Sequence, residues 1–345
     1  MTDSNWLTPG RVAAGWDWLC HSRRKFPAHA DIWNLRVQRE QQLPAILAAL
    51  RAGSYRFSPL QVVTKADGEE VALWSAADAL VLKWMTMALQ DLLPVHRACT
   101  HVKGHGGHKA AVRQAHDWVA GGHYAFVCKT DIRGYYANID KMQLLHLLSR
   151  YVLDDVLLDL LARFLDYSVE KGGNFHTPRT GIPRGCPLSP LLAGFHLFEL
   201  DRNLAERKGV RYLRFMDDLL ILTRTRWQLK RAVARMNAWF AQGGLEQHPD
   251  KTFIGRIERG FDWLGYQFDA KGLCGVAARA LMNLSHKLHR LLELARNCAS
   301  PERESAQLRV VEYQKRWVSW CLGGLDLWPN QTKPWLVRTP VGITG

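Results

Sequence analysis

The sequence predicts an α+β fold built on an antiparallel sheet. Apolar residues recur at helical spacing through the first 60 residues and again from about Val276 onward. Between these regions lie short runs of residues that favour β-strands. Two of these runs, 212–215 and 219–222, are separated only by residues 216–218. They therefore predict a hairpin, and a hairpin is an antiparallel pair.

The elements are predicted in a definite order along the chain. Helical periodicity predicts helices over 43–50, 76–93, 110–120, 141–149, 154–167, 190–207 and 227–243. Short apolar or alternating runs predict strands over 124–130, 212–215, 219–222, 252–257 and 261–268. Residues 55–65 are expected to be extended and to turn at 66–68, whereas 101–109 and 172–185, rich in glycine, predict loops or a hairpin.

The charge balance favours a polyanionic partner. Lys and Arg number 46 against 32 Asp and Glu in 345 residues, a net charge of +14. A surplus of this size is typical of nucleic-acid-binding proteins, with simple solubility as the alternative. Membrane-surface binding is a further alternative, but no concentrated basic run lies beside an apolar helix. A membrane span is not expected, because the most apolar stretch, 79–95, is interrupted by Lys83 and Asp91 and is shorter than the roughly 20 residues that a bilayer requires.

The cysteines and the N-terminus indicate a cytoplasmic protein. Seven cysteines are scattered without a C-x-x-C pair, which favours reduced thiols over a disulfide framework or a zinc site. The first residues contain no apolar signal core. His101, His105 and His108 lack the spacing of a zinc site, so phosphate-facing or hydrogen-bonded histidines are the preferred interpretation.

Three carboxylates stand where predicted strands end. Asp131 follows the run 124–130, and Asp217 and Asp218 lie at the tip of the predicted hairpin. Adjacent like charges next to apolar strands are costly unless cations or hydrogen-bond donors neutralise them. Carboxylate oxygens are the ligands that Mg²⁺ prefers, and two such ions can activate a hydroxyl and stabilise a leaving pyrophosphate. The alternative is a set of solvated turn acids.

Five short motifs give the sequence a specific resemblance. In order along the chain they are DIRGYYANI (131–139), GIPRGCPLSP (181–190), FMDD (215–218), HPDKT (248–252) and FDWLGY (261–266). Their order and spacing resemble the conserved boxes of bacterial reverse transcriptases of the group II intron type, over about residues 30–320. A single box is weak support, whereas five in order are specific.

The resemblance implies roles for the acids. Asp131 and Asp217 would bind two Mg²⁺ ions, with Mn²⁺ as a substitute, and Asp218 would be the third acid. Lys251 would be a catalytic general acid that protonates the departing pyrophosphate. The alternative for Lys251 is an ordinary phosphate contact or a surface lysine.

The resemblance also implies nucleotide and primer contacts. Tyr136 would pack under the sugar and exclude a 2′-hydroxyl, with a core tyrosine as the alternative. Glycines at 181 and 185 would let backbone approach a nucleotide closely. The expected nucleotide-binding residues are Ile132, Tyr136, Arg184, Gly185 and Lys65, and the expected primer grip is Leu264, Gly265 and Tyr266. Arg184 stands where the family usually has Gln, and Glu69-Glu70 where it often has a basic residue.

The fold implied by the resemblance is the right-hand polymerase fold, with fingers, a palm carrying the antiparallel sheet, and a helical thumb. The expected division is an N-terminal extension and fingers in 1–125, palm in 126–140 and 181–270, an insertion in 141–180, thumb in 271–327 and an irregular tail in 328–345. The basic helices after Val276 would form the thumb.

The implied activity is copying of an RNA template into cDNA. The implied partners are an RNA template, a DNA or RNA primer, dNTPs, and a dedicated noncoding RNA or accessory protein. Two alternatives remain open: template-independent or protein-primed DNA synthesis, or a non-catalytic, maturase-like RNA-binding protein. A role in phage defence or in a diversity-generating element is expected over independent retrohoming, although Ser189-Pro190 differs from the Ser-Gln of the diversity-generating group.

Overall fold

The computed structural model describes residues 6–64, 70–297 and 300–325. The chain divides into two compact units. The first unit comprises Met1–Val102, Ile132–Asn203 and Met236–Gln247, and the second comprises Lys103–Asp131, Leu204–Arg235 and His248–Gly345.

The helices and strands alternate irregularly along the chain, as expected for an α+β protein. The helices are α1 Pro9–Ser22, α2 Asp31–Val37, α3 Arg39–Arg51, α4 Ala76–Gln90, α5 Gly107–Ala120, α6 Tyr135–Asn138, α7 Lys141–Leu148, α8 Asp155–Leu165, α9 Leu188–His196, α10 Phe198–Ala205, α11 Arg226–Gln242, α12 Ala278–Asn297 and α13 Ser300–Leu325. The strands are β1 Leu60–Thr64, β2 Glu70–Leu73, β3 Phe126–Asp131, β4 Val169–Lys171, β5 Asn174–His176, β6 Val210–Phe215, β7 Asp218–Thr223, β8 Phe253–Arg256, β9 Phe261–Trp263, β10 Tyr266–Asp269 and β11 Gly272–Val276.

The first unit is mainly helical. Its central helix, α4, begins at an N-cap, Ser75, whose hydroxyl accepts a hydrogen bond from the Asp78 amide at 3.0 Å. Nearly every side chain of α4 is buried, as expected for a helix that is apolar on all sides. A small sheet in the order β2-β1-β4-β5 accompanies these helices, and its β1–β4 pair is parallel.

The second unit contains two antiparallel sheets. One has the order β6-β7-β3-β8 and the other the order β11-β10-β9. Helix α5 lays its small apolar residues on buried side chains of both sheets, which unites them in one core. The expectation of antiparallel sheets in an α+β protein is therefore confirmed for this unit.

Several predicted elements differ from the structure. The single helix expected over 190–207 is wrong, because Leu197, with φ −101° and ψ 14°, separates α9 from α10. No Gly or Pro marks this break, so the continuous apolar pattern concealed it. Strand β11 and the short helix α6 were not predicted. The region 172–185 begins with the β4–β5 hairpin.

Two predicted elements lie in residues that the structure does not describe. One is the turn expected at 66–68. The strands on either side of it, β1 and β2, pair antiparallel with Thr64 opposite Glu70. The irregular tail expected after Leu327 is another. Across residues 6–64, 70–297 and 300–325, no helix is both long enough and apolar enough to cross a bilayer.

Gly15 in α1 allows close packing against α4. A Cβ at Gly15 would lie 2.3 Å from Nε1 of Trp84, and Trp84 is fully buried and donates a hydrogen bond to the Val12 carbonyl at 3.2 Å. We expect Gly15→Ala to lower the free energy of unfolding by about 1–3 kcal/mol. Urea denaturation followed by circular dichroism measures this change.

The matched control is Gly10→Ala in the same helix. A Cβ at Gly10 meets no atom within 4 Å, so this variant is expected to be as stable as wild type or up to about 1 kcal/mol more stable. Equal stability of the two variants would contradict the packing of α1 on Trp84.

Asp78 is a buried carboxyl whose ionisation opposes folding. It accepts hydrogen bonds from the Tyr55 hydroxyl at 2.8 Å and the Ser58 amide at 3.1 Å. Burial raises the pKa of Asp78, and these hydrogen bonds lower it by less. The folded pKa of Asp78 therefore exceeds its unfolded pKa. The stability that the neutral carboxyl contributes to the fold is fully present below about pH 4 and is lost as pH rises through the folded pKa.

The stability difference between wild type and Asp78→Asn should therefore decrease as pH rises from about 4.5 to about 7.5. Because asparagine cannot ionise, the variant does not lose this part of its stability as pH rises. Urea denaturation of both proteins at several pH values measures the difference. A difference that stays constant or grows with pH would show that the folded pKa of Asp78 is not raised.

Candidate active site

The antiparallel pairing of β3 and β7 brings together acids that are distant in sequence. Asp131, the last residue of β3, is the register partner of Asp218, the first residue of β7. Asp217 immediately precedes Asp218 in the β6–β7 hairpin loop. Carboxylate oxygens of Asp131, Asp217 and Asp218 all lie within 4.8 Å of one another.

The hairpin that carries two of the acids has an unusual backbone. Phe215 pairs with Asp218, so the loop consists of Met216 and Asp217. Met216 has φ 57°, a left-handed conformation that is unfavourable for a residue with a long side chain. The fully buried Arg214 donates a hydrogen bond to the Met216 carbonyl at 2.9 Å. This bond helps to hold the loop in its strained conformation.

The electrostatics of the cluster follow from the proximity of the acids. Burial, and then the charges of Asp217 and Asp131, raise the pKa of Asp218 to about 7, whereas Lys251 and Lys129 lower it by less. The two lysines therefore offset only part of the effect of burial and of the neighbouring acids on Asp218. A bound cation would remove this repulsion.

Lysine side chains provide partial neutralisation. Lys251, at the end of a short 3₁₀ turn, places its Nζ 2.9 Å from Oδ2 of the buried Asp131. Lys129, two residues before Asp131 on β3, pairs with Asp262 at 2.9 Å. The ammonium of Lys251 therefore lies beside the carboxylate that the sequence assigned to metal binding.

The donor set fits a hard divalent cation. All three groups are carboxylates, and their oxygens converge at the spacing given above. Asp131, Asp217 and Asp218 are the only group of three or more His, Cys, Asp or Glu residues with such convergence in the part of the chain that the structure describes.

A cavity of about 490 Å³ surrounds the acids within the second unit. Besides the expected residues it is lined by several that sequence reasoning did not single out for the site: Lys129, Asp262, Trp263, Arg279 and Asn283. Lys129 could have been found, because it is two residues from Asp131 on a strand and shares its face. Arg279 and Asn283 reach the cavity from α12, and no local signal in the sequence indicates this.

His108 joins three parts of the second unit. Its Nε2 lies 3.0 Å from the Leu264 carbonyl oxygen. Its ring meets that of Phe215 edge-on at 5.5 Å between centroids, and those of Tyr266 and Trp320 at 5.9 Å each. Burial lowers the pKa of His108, which favours the neutral ring. The expectation of a hydrogen-bonded histidine is therefore confirmed for His108.

The turn expected to grip a primer is tightly packed. Leu264 and Gly265 have φ values of 49° and 84°, and a Cβ at Gly265 would lie 2.7 Å from the Trp320 ring. The fully buried Tyr266 stacks on Trp320 at 5.0 Å and donates its hydroxyl hydrogen to the Trp320 carbonyl at 2.8 Å. Tyr266 therefore fixes α13 against the turn, while Leu264 and Gly265 line the acid cavity.

The expected nucleotide-binding residues belong to the first unit. Ile132 is fully buried and forms a β-bridge with Gln247. Tyr136 is nearly buried, and its ring lies 5.7 Å from that of Tyr135, edge-on. The Arg184 guanidinium lies over the Tyr136 ring at 5.8 Å from its centroid. Lys65 lies outside the described residues.

The two glycines of the 181–190 motif serve packing. A Cβ at Gly181 would lie 2.8 Å from backbone atoms of Tyr136 and Ala137, and the Ile182 amide donates to the Tyr136 carbonyl at 2.8 Å. Gly185 has φ 78° and lies near the Ala72 carbonyl. Contacts within the protein thus already require glycine at both positions, and the expected approach to a nucleotide stays a prediction.

Comparison with known proteins connects this geometry to a family. The sequence profile of the reverse transcriptase (RNA-dependent DNA polymerase) family matches residues 80–268. Group II intron-encoded protein LtrA of Lactococcus lactis subsp. cremoris is 26% identical over 180 residues, which are 49% of this chain and 29% of that protein. The retrovirus-related Pol polyprotein from type-1 retrotransposable element R2 of Nasonia vitripennis is 34% identical over 90 residues, 24% of this chain and 9% of that protein.

The matched segments make up less than a third of each of these relatives. The profile, however, covers more than half of the 345 residues and includes the three acids, Lys251 and the turn at Leu264. The chain belongs to the reverse transcriptase family and is similar to its group II intron-encoded members.

Proposed function

We propose that this protein is an RNA-directed DNA polymerase that copies an RNA template into cDNA. The observation that supports this most strongly is the convergence of Asp131, Asp217 and Asp218 at adjacent strand ends. A protein that only bound RNA would gain nothing from a cluster of carboxylates in which burial, and then the neighbouring charges, raise the pKa of Asp218 to about 7.

Two Mg²⁺ ions are the proposed cofactor, and Asp131 and Asp217 would hold both, with Asp218 completing the set. Bound in this position, the ions would supply activation of the primer 3′-hydroxyl and stabilisation of the pyrophosphate leaving group. Asp218 would take part as a carboxylate, the form that a neighbouring cation favours. Manganese, with similar preferences for oxygen ligands, is the expected substitute.

Lys251 is proposed as the residue that protonates the departing pyrophosphate. Its ammonium lies next to the acid cluster, 2.9 Å from Asp131, and its partial exposure leaves a route for a phosphate group. In this role the Lys251 ammonium would contact the pyrophosphate in place of Asp131. Proton donation to the leaving group would then complete the transfer.

Nucleotide selection is proposed to depend on residues of the first unit. Tyr136 would meet the sugar and exclude a 2′-hydroxyl. Arg184, which stacks on Tyr136, would contact the nucleotide together with Ile132 and Gly185, as would Lys65. The turn of Leu264, Gly265 and Tyr266 would hold the primer strand, and its position in the acid cavity supports this role.

The proposed architecture is a right hand. The sheet β6-β7-β3-β8 would be the core of the palm, which extends over 126–140 and 181–270. Residues 1–125 would supply the fingers, with 141–180 as an insertion. The long helices α12 and α13 would form the thumb over 271–327. An RNA template, a primer and dNTPs are the corresponding partners.

Replacement of the acids should abolish synthesis. We expect Asp217→Asn and Asp218→Asn each to lower the rate of primer extension on a primed RNA template about a thousandfold or more, because each removes a group that stabilises charge in the transition state. Gel analysis of a labelled primer with Mg²⁺ and dNTPs measures the rate. The control is Glu258→Gln, an exposed acid that pairs with Arg256 and does not line the cavity.

Equal activity of wild type and both variants would defeat the polymerase assignment. Sequencing the wild-type product distinguishes the alternatives. A product complementary to the RNA supports the proposal, whereas a homopolymer or a strand linked to protein would indicate template-independent or protein-primed synthesis. Binding of RNA without any dNTP incorporation would indicate a non-catalytic RNA-binding protein.

Mg²⁺ should stabilise the folded protein through the acids. At a concentration 100 times the dissociation constant, one bound ion adds about 2.7 kcal/mol to the free energy of unfolding. We expect wild type to melt a few degrees higher with Mg²⁺, whereas Asp218→Asn melts higher than wild type without Mg²⁺ and responds weakly to it. Differential scanning fluorimetry measures these shifts, and an unchanged response in the variant would contradict metal binding by Asp218.

A further inference from the structure

Helix α11 presents a strongly basic outer face. Its buried side consists of Leu229, Ala232, Met236 and Phe240, which recur at helical spacing. The remaining sides contain no acidic residue anywhere in Arg226–Gln242. Its four basic side chains are exposed: Arg226, Lys230, Arg231 and Arg235.

Arg207 adds a fifth positive charge from the turn before β6. This turn lies against α11, because a Cβ at Gly209 would lie 2.4 Å from Nε2 of Gln228. Burial lowers the pKa of Arg207, and the charges of Arg235 and Arg231 lower it further. The guanidinium of Arg207 is therefore close enough to those of Arg231 and Arg235 to be repelled by them. We call the set of five basic residues the α11 basic face: Arg207, Arg226, Lys230, Arg231 and Arg235.

The α11 basic face has no acidic partner among the residues that the structure describes. None of its five side chains forms an ion pair with an acid in the described parts of the chain. Other exposed arginines do have acidic partners. Arg202 pairs with Glu199 at 2.6 Å, and Arg256 pairs with Glu258 at 3.7 Å. In addition, Nε of Arg207 is buried and has no hydrogen-bond partner in the described segments of the chain.

A repulsive cluster of this kind costs stability unless a polyanion binds it. The spacing of the charges fits a nucleic-acid backbone, since side chains four residues apart on a helix lie about 5–6 Å apart. Trp227 lies on the outward side of α11 and is 64% exposed. Around the helix it stands between the pair Arg226 and Lys230 and the pair Arg231 and Arg235. An exposed indole flanked by cations is suited to stacking with an unpaired base.

We propose that the α11 basic face is an RNA-binding surface separate from the acid cavity. None of the residues that line the acid cavity belongs to α11. The basic side chains would contact phosphates of an RNA segment outside the primer–template duplex, and Trp227 would stack on one of its unpaired bases. A single exposed aromatic side chain flanked by cations offers too little apolar surface for insertion into a bilayer.

The test measures RNA affinity of the full-length double variant Arg231→Gln/Arg235→Gln. The probe is a long labelled RNA with a stem-loop and single-stranded flanks. Its binding is measured by fluorescence anisotropy at several salt concentrations. We expect affinity to fall about tenfold or more, and the slope of log affinity against log salt to decrease by about 1.4, at about 0.7 for each lost phosphate contact. Trp227→Ala should weaken binding without changing the slope.

The matched control is Arg202→Gln/Arg256→Gln, which removes the same charge from exposed sites that already have acidic partners. It should bind the RNA like wild type. Arg231→Lys/Arg235→Lys keeps the charge and should retain most of the affinity. Equal losses in the two Gln double variants, or wild-type affinity in Arg231→Gln/Arg235→Gln, would overturn the proposal.

Further measurements distinguish RNA from single-stranded DNA and lipid as the partner, and the α11 basic face from the acid cavity as the binding site. A loss of binding to single-stranded DNA as large as the loss for RNA, or a loss confined to anionic lipid vesicles, would overturn the assignment to RNA. Extension of a short primer–template should remain at the wild-type rate in Arg231→Gln/Arg235→Gln. Asp217→Asn should bind the long RNA normally, so that failure of this proposal and failure of the polymerase assignment are distinguishable.

Discussion

The repulsion among three carboxylates is the constraint on which the rest of the second unit depends. The β3–β7 register places Asp131 opposite Asp218, and the hairpin adds Asp217 at the same point. Burial and proximity raise the pKa of Asp218 to about 7. Folding must therefore hold the acids against their own repulsion, and the extensive core beneath both sheets provides the necessary stability. Lys251 offsets part of the charge and leaves the remainder for a cation.

The supports of this site are neutral or buried groups. Arg214 holds the strained Met216 carbonyl from inside the protein. His108 contacts the Leu264 carbonyl and the Phe215 ring, and its lowered pKa keeps it uncharged. A neutral histidine adds no charge to a cavity that acids and lysines already line. A change at His108 would therefore affect both the β6–β7 hairpin and the turn at Leu264.

The distribution of positive charge suits a protein that handles RNA in more than one place. Lys129 and Lys251 lie among the acids, where each has a carboxylate partner. On α11, by contrast, the basic side chains lack acidic partners in the described residues and repel one another. A polymerase that must keep hold of a long template while its active site advances would benefit from contacts that do not move with the primer end. The proposed face would supply such contacts.

The sequence by itself determined the local features: acids at strand ends, the hairpin around Asp217, and most helices, because periodicity and turn residues act over a few positions. Five motifs in order were enough for the family. The tertiary structure decided the rest. The pairing of Lys251 with Asp131, the placement of His108 and Arg279, and the packing that requires glycine at 181 all join residues distant in sequence. Pattern reasoning cannot reach such contacts, because they depend on strand register and on which helix faces meet.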